Sequence, residues 1–218
     1  MIVRQIPTWV TGTNAWVVAD EPGGAAFVVD APPEPDEVGE YIAGLGLTVA
    51  GILVTHGHVD HMGGSGTLAT RTGARVWIHP DDDFLTLDPA TQLRRLFGMV
   101  PPGDFEAPKE LARLSHGREL SLAGRTVQVV HTPGHTPGHC CFHLPEEGVL
   151  FSGDQLFAGS IGRTDLPGGS YEDLMSSMWD RVMVIDDDVR VLPGHGPETT
   201  IGSERRNNPF LVGDPGHR

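Results

Sequence analysis

Apolar residues come in short runs along this chain rather than in long helical stripes. Residues 47–54, Leu-Thr-Val-Ala-Gly-Ile-Leu-Val, form a β-branched apolar run that reads as a buried strand. Shorter runs at 8–10, 15–18 and 25–29 predict N-terminal hairpin strands. Gly12 and Pro22-Gly23-Gly24 mark the turns between them, and Asp30 closes the third strand. Between 32 and 45, proline stands early and glycine late, the usual punctuation of a helix. A helix is expected over 64–72 and a strand over 74–78. The second half predicts strands at 125–131, 140–144 and 148–152, a helix at 171–185 and a strand at 188–192. Residues 80–118 are broken by Pro80, Pro89, Pro101, Pro102 and Pro108. They predict short helices and a loop, either a lid facing the substrate or a plain crossover. Two β-rich halves, each followed by helices, predict an α/β chain folded as a four-layer αββα sandwich. At 218 residues it suits one domain, 1–218, that buries roughly 70% of its unfolded surface.

Candidate chemistry collects where these strands end. After the 47–54 run comes Thr55-His56-Gly57-His58-Val59-Asp60-His61, with three imidazoles and a carboxylate in six positions. His56 and His58 are two apart and point the same way in extended chain. Asp60 and His61 fall where the chain turns and can face a different point. That arrangement suits two metal ions side by side, and His with Asp is a ligand set that zinc, iron and manganese all accept. Three further strands end the same way. Residues 129–139 run into His-Thr-Pro-Gly-His-Thr-Pro-Gly-His, 148–154 end on Asp154, and 189–196 end on His195. Glycine beside each ligand lets backbone pass close to a metal or adopt positive φ.

The set His56, His58, Asp60, His61, His135, Asp154 and His195 resembles the metallo-β-lactamase superfamily pattern over nearly the whole chain. Within that superfamily the segments 131–139, 151–157, 162–165 and 193–199 are similar to the glyoxalase II-like hydrolases. The resemblance implies the αββα metallo-β-lactamase fold and two divalent metal ions, zinc with iron or manganese as alternatives. His56, His58 and His135 would hold metal 1. Asp60, His61 and His195 would hold metal 2, and Asp154 would bridge them. It further implies hydrolysis of a thioester such as S-lactoylglutathione by hydroxide made on the metals, with Asp60 and Asp154 orienting the nucleophile. A thiolate leaves readily, since a free thiol ionises near ~8.5, so no dedicated general acid is required. Glyoxalase II proper has a C-terminal helical region and an aromatic residue soon after the last His. Here 23 residues follow His195, and the next four are Gly196-Pro197-Glu198-Thr199. Arg163 and Asp165 also stand where those enzymes have Lys and Tyr. The chain is therefore expected in a shorter, glyoxalase II-like branch. The rival within the superfamily is the mononuclear iron persulfide dioxygenase, which shares Gly-Arg-Thr-Asp. Its turn ends on Cys where this chain has His139, and its last His sits in a different context. A lactonase or other ester hydrolase on the same metals is a further alternative.

Other residues carry weaker signals. His139 lies four after His135 and competes for its role; the resemblance gives the ligand to His135 and leaves His139 to orient a neighbour. Asp30 is expected to accept a hydrogen bond from a ligand imidazole, with a turn or helix cap before Pro32 as the alternative. Arg163 can grip an anionic substrate tail in two-point fashion, or pair with Asp165 or Glu172. His131 is expected as a packed residue. His143, His79, His116 and His217 receive no role. Cys140 and Cys141 are adjacent and read as buried structural thiols. The formal charge of −14, from 15 basic and 29 acidic residues, argues against nucleic acid or an anionic membrane as the main partner. No 18-residue apolar run predicts a membrane helix, and the N-terminus lacks the apolar stretch of a secretion signal. A small-molecule thioester and a cytoplasmic location are the expectations; oligomeric state is unassigned.

Overall fold

The computed structural model describes residues 1–86, 91–94 and 98–212. The first sheet holds β1 (Ile2–Thr8), β2 (Thr13–Ala19), β3 (Ala25–Val29), β4 (Thr48–Leu53), β5 (Arg75–Ile78) and β6 (Leu111–Arg113), in that spatial order. β1 to β3 are antiparallel, and β3 to β6 pair in parallel. The second sheet contains β7 (Glu119–Leu122), β8 (Arg125–His131), β9 (Cys140–Leu144), β10 (Val149–Gly153), β13 (Arg190–Pro193) and β14 (Thr199–Thr200). Its order is β14-β13-β10-β9-β8-β7. The short hairpin β11 (Leu156–Phe157) and β12 (Ser160–Ile161) stands apart.

Period-two alternation explains the layers. In β2 and β3, Ala15, Val17, Ala26 and Val28 face outward beneath α1 (Asp36–Gly44) and α3 (Ser65–Thr72), packing with Val38, Ile42 and Leu68. Their alternates Trp16, Val18, Phe27 and Val29 face the second sheet, where they meet Val127, Val129, Phe142 and Phe151. Phe151 lies edge-on to Trp16 at 6.1 Å and to Phe27 at 6.4 Å, a favoured aromatic geometry. The outer face of the second sheet, with Cys141, Leu150 and Val191, is covered by Leu174, Met178, Val182 and Ile201. These come from α5 (Tyr171–Ser177), the π-helical turn Met178–Val182 and α6 (Ile201–Asn207), with α7 (Pro209–Val212) closing the described chain. The layers run helix, sheet, sheet, helix, as expected.

Several boundaries differ from the sequence reading. The first strand is 2–8, and 9–12 form the hairpin turn, with Trp9 at φ 63°. The helix expected from 32 starts only at Asp36, because Pro33 and Pro35 push the residues before them, Pro32 and Glu34, out of the α region. The 171–185 helix stops at Ser177 and continues as the π-turn. Residues 80–118 supply α4 (Asp83–Thr86) and β6, so the chain crosses from the first sheet to the second there. Positions 87–90, 95–97 and 213–218, which include His217, lie outside the described residues.

Candidate metal centre

Four strand ends meet at one rim of the sandwich. The loop after β4 brings His56 and His58, and its short helix α2 (Val59–Met62) turns Asp60 and His61 to the same point. β8 leads to His135, β10 to Asp154 and β13 to His195. Potential ligand atoms gather as His56, His58 and His135, as His56, His61 and Asp154, and as Asp60, His61 and His195. His58 Nδ1 is 2.9 Å from His135 Nε2, which is 3.2 Å from His56 Nε2. His61 Nε2 is 3.3 Å from His195 Nε2, and His195 Nε2 is 3.3 Å from Asp60 Oδ2. The Asp154 carboxylate stands between the groups: Oδ2 is 3.5 Å from His135 Nε2 and 3.7 Å from His195 Nε2, and Oδ1 is 3.4 Å from His61 Nε2.

The surrounding hydrogen bonds fix which nitrogen of each ring faces inward. His135 Nδ1–H donates to the Arg163 carbonyl at 2.7 Å, and His61 Nδ1–H to Asp30 Oδ2 at 2.8 Å. Thr55 Oγ1 donates to Asp30, so it accepts from His56 Nδ1–H at 3.0 Å. The Nε2 atoms of His56 and His135 are therefore lone pairs. They face each other at 3.2 Å, a repulsive contact that a cation between them relieves. Asp154 Oδ1 is buried with no donor, another group that a metal would satisfy. Two ligands on a tetrahedral zinc lie about 3.3 Å apart, given its bond lengths, and the observed separations fit. Burial holds His56, His58 and His135 neutral, the ligand form, with His58 pushed down to about 3 and His135 to about 4. Burial works against charge on His61 too, but Asp154, Asp60 and Asp30 outweigh it and raise that imidazole to about 10.

Asp30 and His139 both sit behind these groups. Asp30 also accepts from the Thr55 backbone N–H at 2.7 Å, joining the ends of β3 and β4. His139 accepts the Asp154 backbone N–H on Nε2 at 3.0 Å and, on that tautomer, donates Nδ1–H to Thr132 Oγ1 at 2.8 Å. With both nitrogens engaged it faces the Asp154 backbone rather than the ligand cluster. Arg163 lines the cleft over the centre, and its guanidinium is held by Asp165 in two bonds of 2.7 Å. The other lining residues are Thr11, Phe157, Ile161 and Leu166, around a volume of about 490 Å³. Gly194 is required where it stands, since a Cβ there would lie 2.4 Å from Asp154 Oδ1.

Sequence reasoning missed three contributors. Asp82, fully buried, accepts from Gly57 N–H at 2.7 Å, Gly138 N–H at 2.7 Å and Thr136 Oγ1 at 2.8 Å. It thereby ties the loop of His56 and His58 to the loop of His135. Thr13 Oγ1 donates to Asp60 Oδ2 at 3.0 Å, and Thr55 links Asp30 to His56. Asp82 is one of three consecutive aspartates, so nothing in the sequence singles it out.

A sandwich of this layering, with His and Asp clusters at its strand ends, defines a class of metal-binding α/β proteins. The chain matches the metallo-beta-lactamase superfamily over residues 8–195 and belongs to it, a superfamily composed mostly of metal-dependent hydrolases. It is similar to the hydroxyacylglutathione hydrolase GloC of Haemophilus influenzae, 36% identical over 97% of this chain and 98% of that protein. Among solved structures it is similar to the BLEG-1 B3 metallo-beta-lactamase, with a TM-score of 0.88 and 35% identity over 97% of this chain and 100% of that one. It is also similar to TTHA1623 in a di-iron-bound form, with a TM-score of 0.84 and 37% identity over 96% and 100% of the two chains. No helix among the described residues is long and apolar enough to cross a membrane.

Proposed function

We propose that the protein is a metal-dependent hydrolase of acyl thioesters, S-lactoylglutathione or a related acyl-thiol, acting as one domain over 1–218. In this reading His56, His58 and His135 hold one divalent ion, and Asp60, His61 and His195 hold the other. Asp154 would serve both, and the ions would be zinc, or the iron or manganese that the same ligands accept. The observation that carries the reading is the Asp154 carboxylate, buried between two sets of imidazoles with one oxygen lacking any donor. When bound, the metals supply hydroxide at neutral pH and Lewis-acid polarisation of a carbonyl oxygen. The chain's own residues orient the parts. Thr13 fixes the Asp60 carboxylate, His139 holds the Asp154 backbone, and Asp30 and the Arg163 carbonyl set the ring orientations of His61 and His135. Phe157, Ile161 and Leu166 give the cleft an apolar wall that suits an acyl-thiol, and Arg163 lines the same cleft. A thiolate leaving group fits a site with no dedicated general acid evident among the described residues. Similarity to GloC along nearly the whole chain supports the thioester over other esters. Cys140 and Cys141 are free and buried, which fits a reducing cytoplasmic setting.

Elemental analysis of the purified protein should find close to two metals per chain, with hydrolysis of S-lactoylglutathione. Asp154→Ala should lose metal and hydrolysis together, because its carboxylate serves both ions. A variant that keeps both metals and most activity refutes the bridging role. One iron per chain with oxygen uptake on a persulfide would replace the hydrolase with a dioxygenase.

A further inference from the structure

The mouth of the cleft carries one arginine or lysine among its described lining residues, Arg163. Its backbone is anchored, since its carbonyl accepts from His135 Nδ1–H at 2.7 Å. The guanidinium fork is engaged along its edge: Nε donates to Asp165 Oδ1 and Nη2 to Asp165 Oδ2, each at 2.7 Å. The two charges cancel within one turn of loop. Outside the ligand cluster the remaining lining residues are Thr11, Phe157, Ile161 and Leu166, none of them charged. The chain as a whole is at −14, so apart from the local charge of the metals no net field draws an anion to the cleft. A thiol tail thus meets a neutralised ion pair and an apolar wall.

We infer that Asp165 is a specificity determinant that occupies the Arg163 fork and biases the cleft toward acyl-thiols whose thiol part carries no net negative charge. The inference rests on the thioester reading and narrows it. Arg163 and Asp165 have side chains 58% and 68% exposed, so the pair adds little to stability. It can open, and it acts as a competitor rather than a lock. Asp165 is tethered two residues away, and a short flexible tether gives an effective concentration on the order of millimolar or higher. A substrate carboxylate at micromolar concentration must displace it to take the Nε/Nη2 edge, and at the Nη1 side it meets a cation whose charge Asp165 already neutralises. A tail with no charge faces no such competition. Anionic thioesters are still hydrolysed in this account, with a KM that Asp165 raises.

The test compares the wild type with Asp165→Asn, Asp165→Glu and the double variant Arg163→Ala/Asp165→Asn, all loaded with metal. Two readouts are taken. One is kcat/KM on S-lactoylglutathione against that on a lactoyl thioester of N-acetylcysteamine, whose thiol part is neutral. The other is the dissociation constant for the S-methyl thioethers of the same two thiols, measured by calorimetry without turnover. Freeing the fork for a charge-assisted two-point contact should shift both ratios toward the anionic ligand by about tenfold in Asp165→Asn. Asp165→Glu should stay near wild type, and the double variant should lose the gain, because the cation is gone. The shift should shrink as salt rises. Ratios that stay put in Asp165→Asn overturn the inference even if both thioesters are hydrolysed. So does a gain that survives loss of Arg163. A shift in the thioether binding ratio without hydrolysis of either thioester would keep the tail specificity and overturn the thioesterase reading instead.

Discussion

Asp82 allows a prediction whose size follows from its contacts. Its carboxylate accepts Gly57 N–H and Thr136 Oγ1–H on Oδ2, and Gly138 N–H on Oδ1. A hydrogen bond to a charged group contributes about 1.5–3 kcal/mol net. Asparagine keeps one acceptor oxygen. In its better orientation that oxygen serves Gly57 and Thr136, and the amide then points its own hydrogens at Gly138 N–H. One bond is lost and one buried donor is orphaned, a cost of about 2–3 kcal/mol. The amide cannot slide away, because the packing is close: a Cβ on Gly138 would lie 2.7 Å from Asp82 Cγ. Alanine would orphan all three donors, and its cost would approach the whole stability of a typical domain, about 5–15 kcal/mol. Asp82→Asn is therefore the informative variant.

The tie should also be felt at the metals. Gly57 sits between His56 and His58, and Thr136 and Gly138 flank the turn that carries His135, so a slack tie lets two sides of one ligand set drift. Loss of a partner outside the ligand shell commonly weakens metal affinity by about 10- to 100-fold. Because Asp82 acts through backbone, the lower end is expected, about tenfold. Urea unfolding of the metal-loaded protein measures the first quantity, and competition with a chelator measures the second. An Asp82→Asn protein within about 0.5 kcal/mol of wild type, the usual scatter of a neutral surface change, and within twofold in metal affinity would refute the reasoning. So would equal metal loss from variants of Thr70 or Asp186, which lie outside this network.

The fold and the convergence of the seven residues were legible because their signals are local. Each of the four strands is a short apolar run followed by a His or Asp next to glycine, and one such end fixes its neighbours once strands pair in a sheet. What escaped depends on partners far along the chain. β1 contains Pro7 and the polar Arg4 and Gln5, which argues against a central strand. It is an edge strand, where a missing N–H is tolerated. β6 and β7, Leu-Ala-Arg and Glu-Leu-Ser-Leu, are too short and too polar to stand out, and they too lie at sheet edges. Asp82 is distinguished from Asp81 and Asp83 only by the turn after His79, which points one of the three inward. The Arg163 alternatives were equal in sequence because Asp165 and the cleft are both within reach of its side chain. The bidentate pair is a fact of loop geometry.

Two further outcomes follow from the same network. His139→Ala should keep His135 in the ligand cluster and retain most metal, while costing about 1–3 kcal/mol for the orphaned Asp154 N–H; His135→Ala should lose metal outright. Equal metal loss in both would show that His139 ligates. The metal-free protein should be most stable near pH 6.5. His61 is raised to about 10 in the fold, so its contribution is full below its unfolded value of 6.5 and is lost as pH rises from there through about 10. His58 and His135 are lowered to about 3 and about 4. Their contributions are full above 6.5 and are lost as pH falls from there through those values. Each group imposes a slope of up to about 1.4 kcal/mol per pH unit within its window. Metal holds these imidazoles unprotonated, so loading should flatten the alkaline side and steepen the acid side, where protons compete with the ions. Urea unfolding of chelator-treated protein from pH 5 to 9 measures the profile. Repulsion within a chain at −14 also grows with pH, and His61→Asn separates the two effects: it should remove most of the alkaline decline. A decline that persists unchanged in that variant would assign it to overall charge and leave His61 neutral in the metal-free fold.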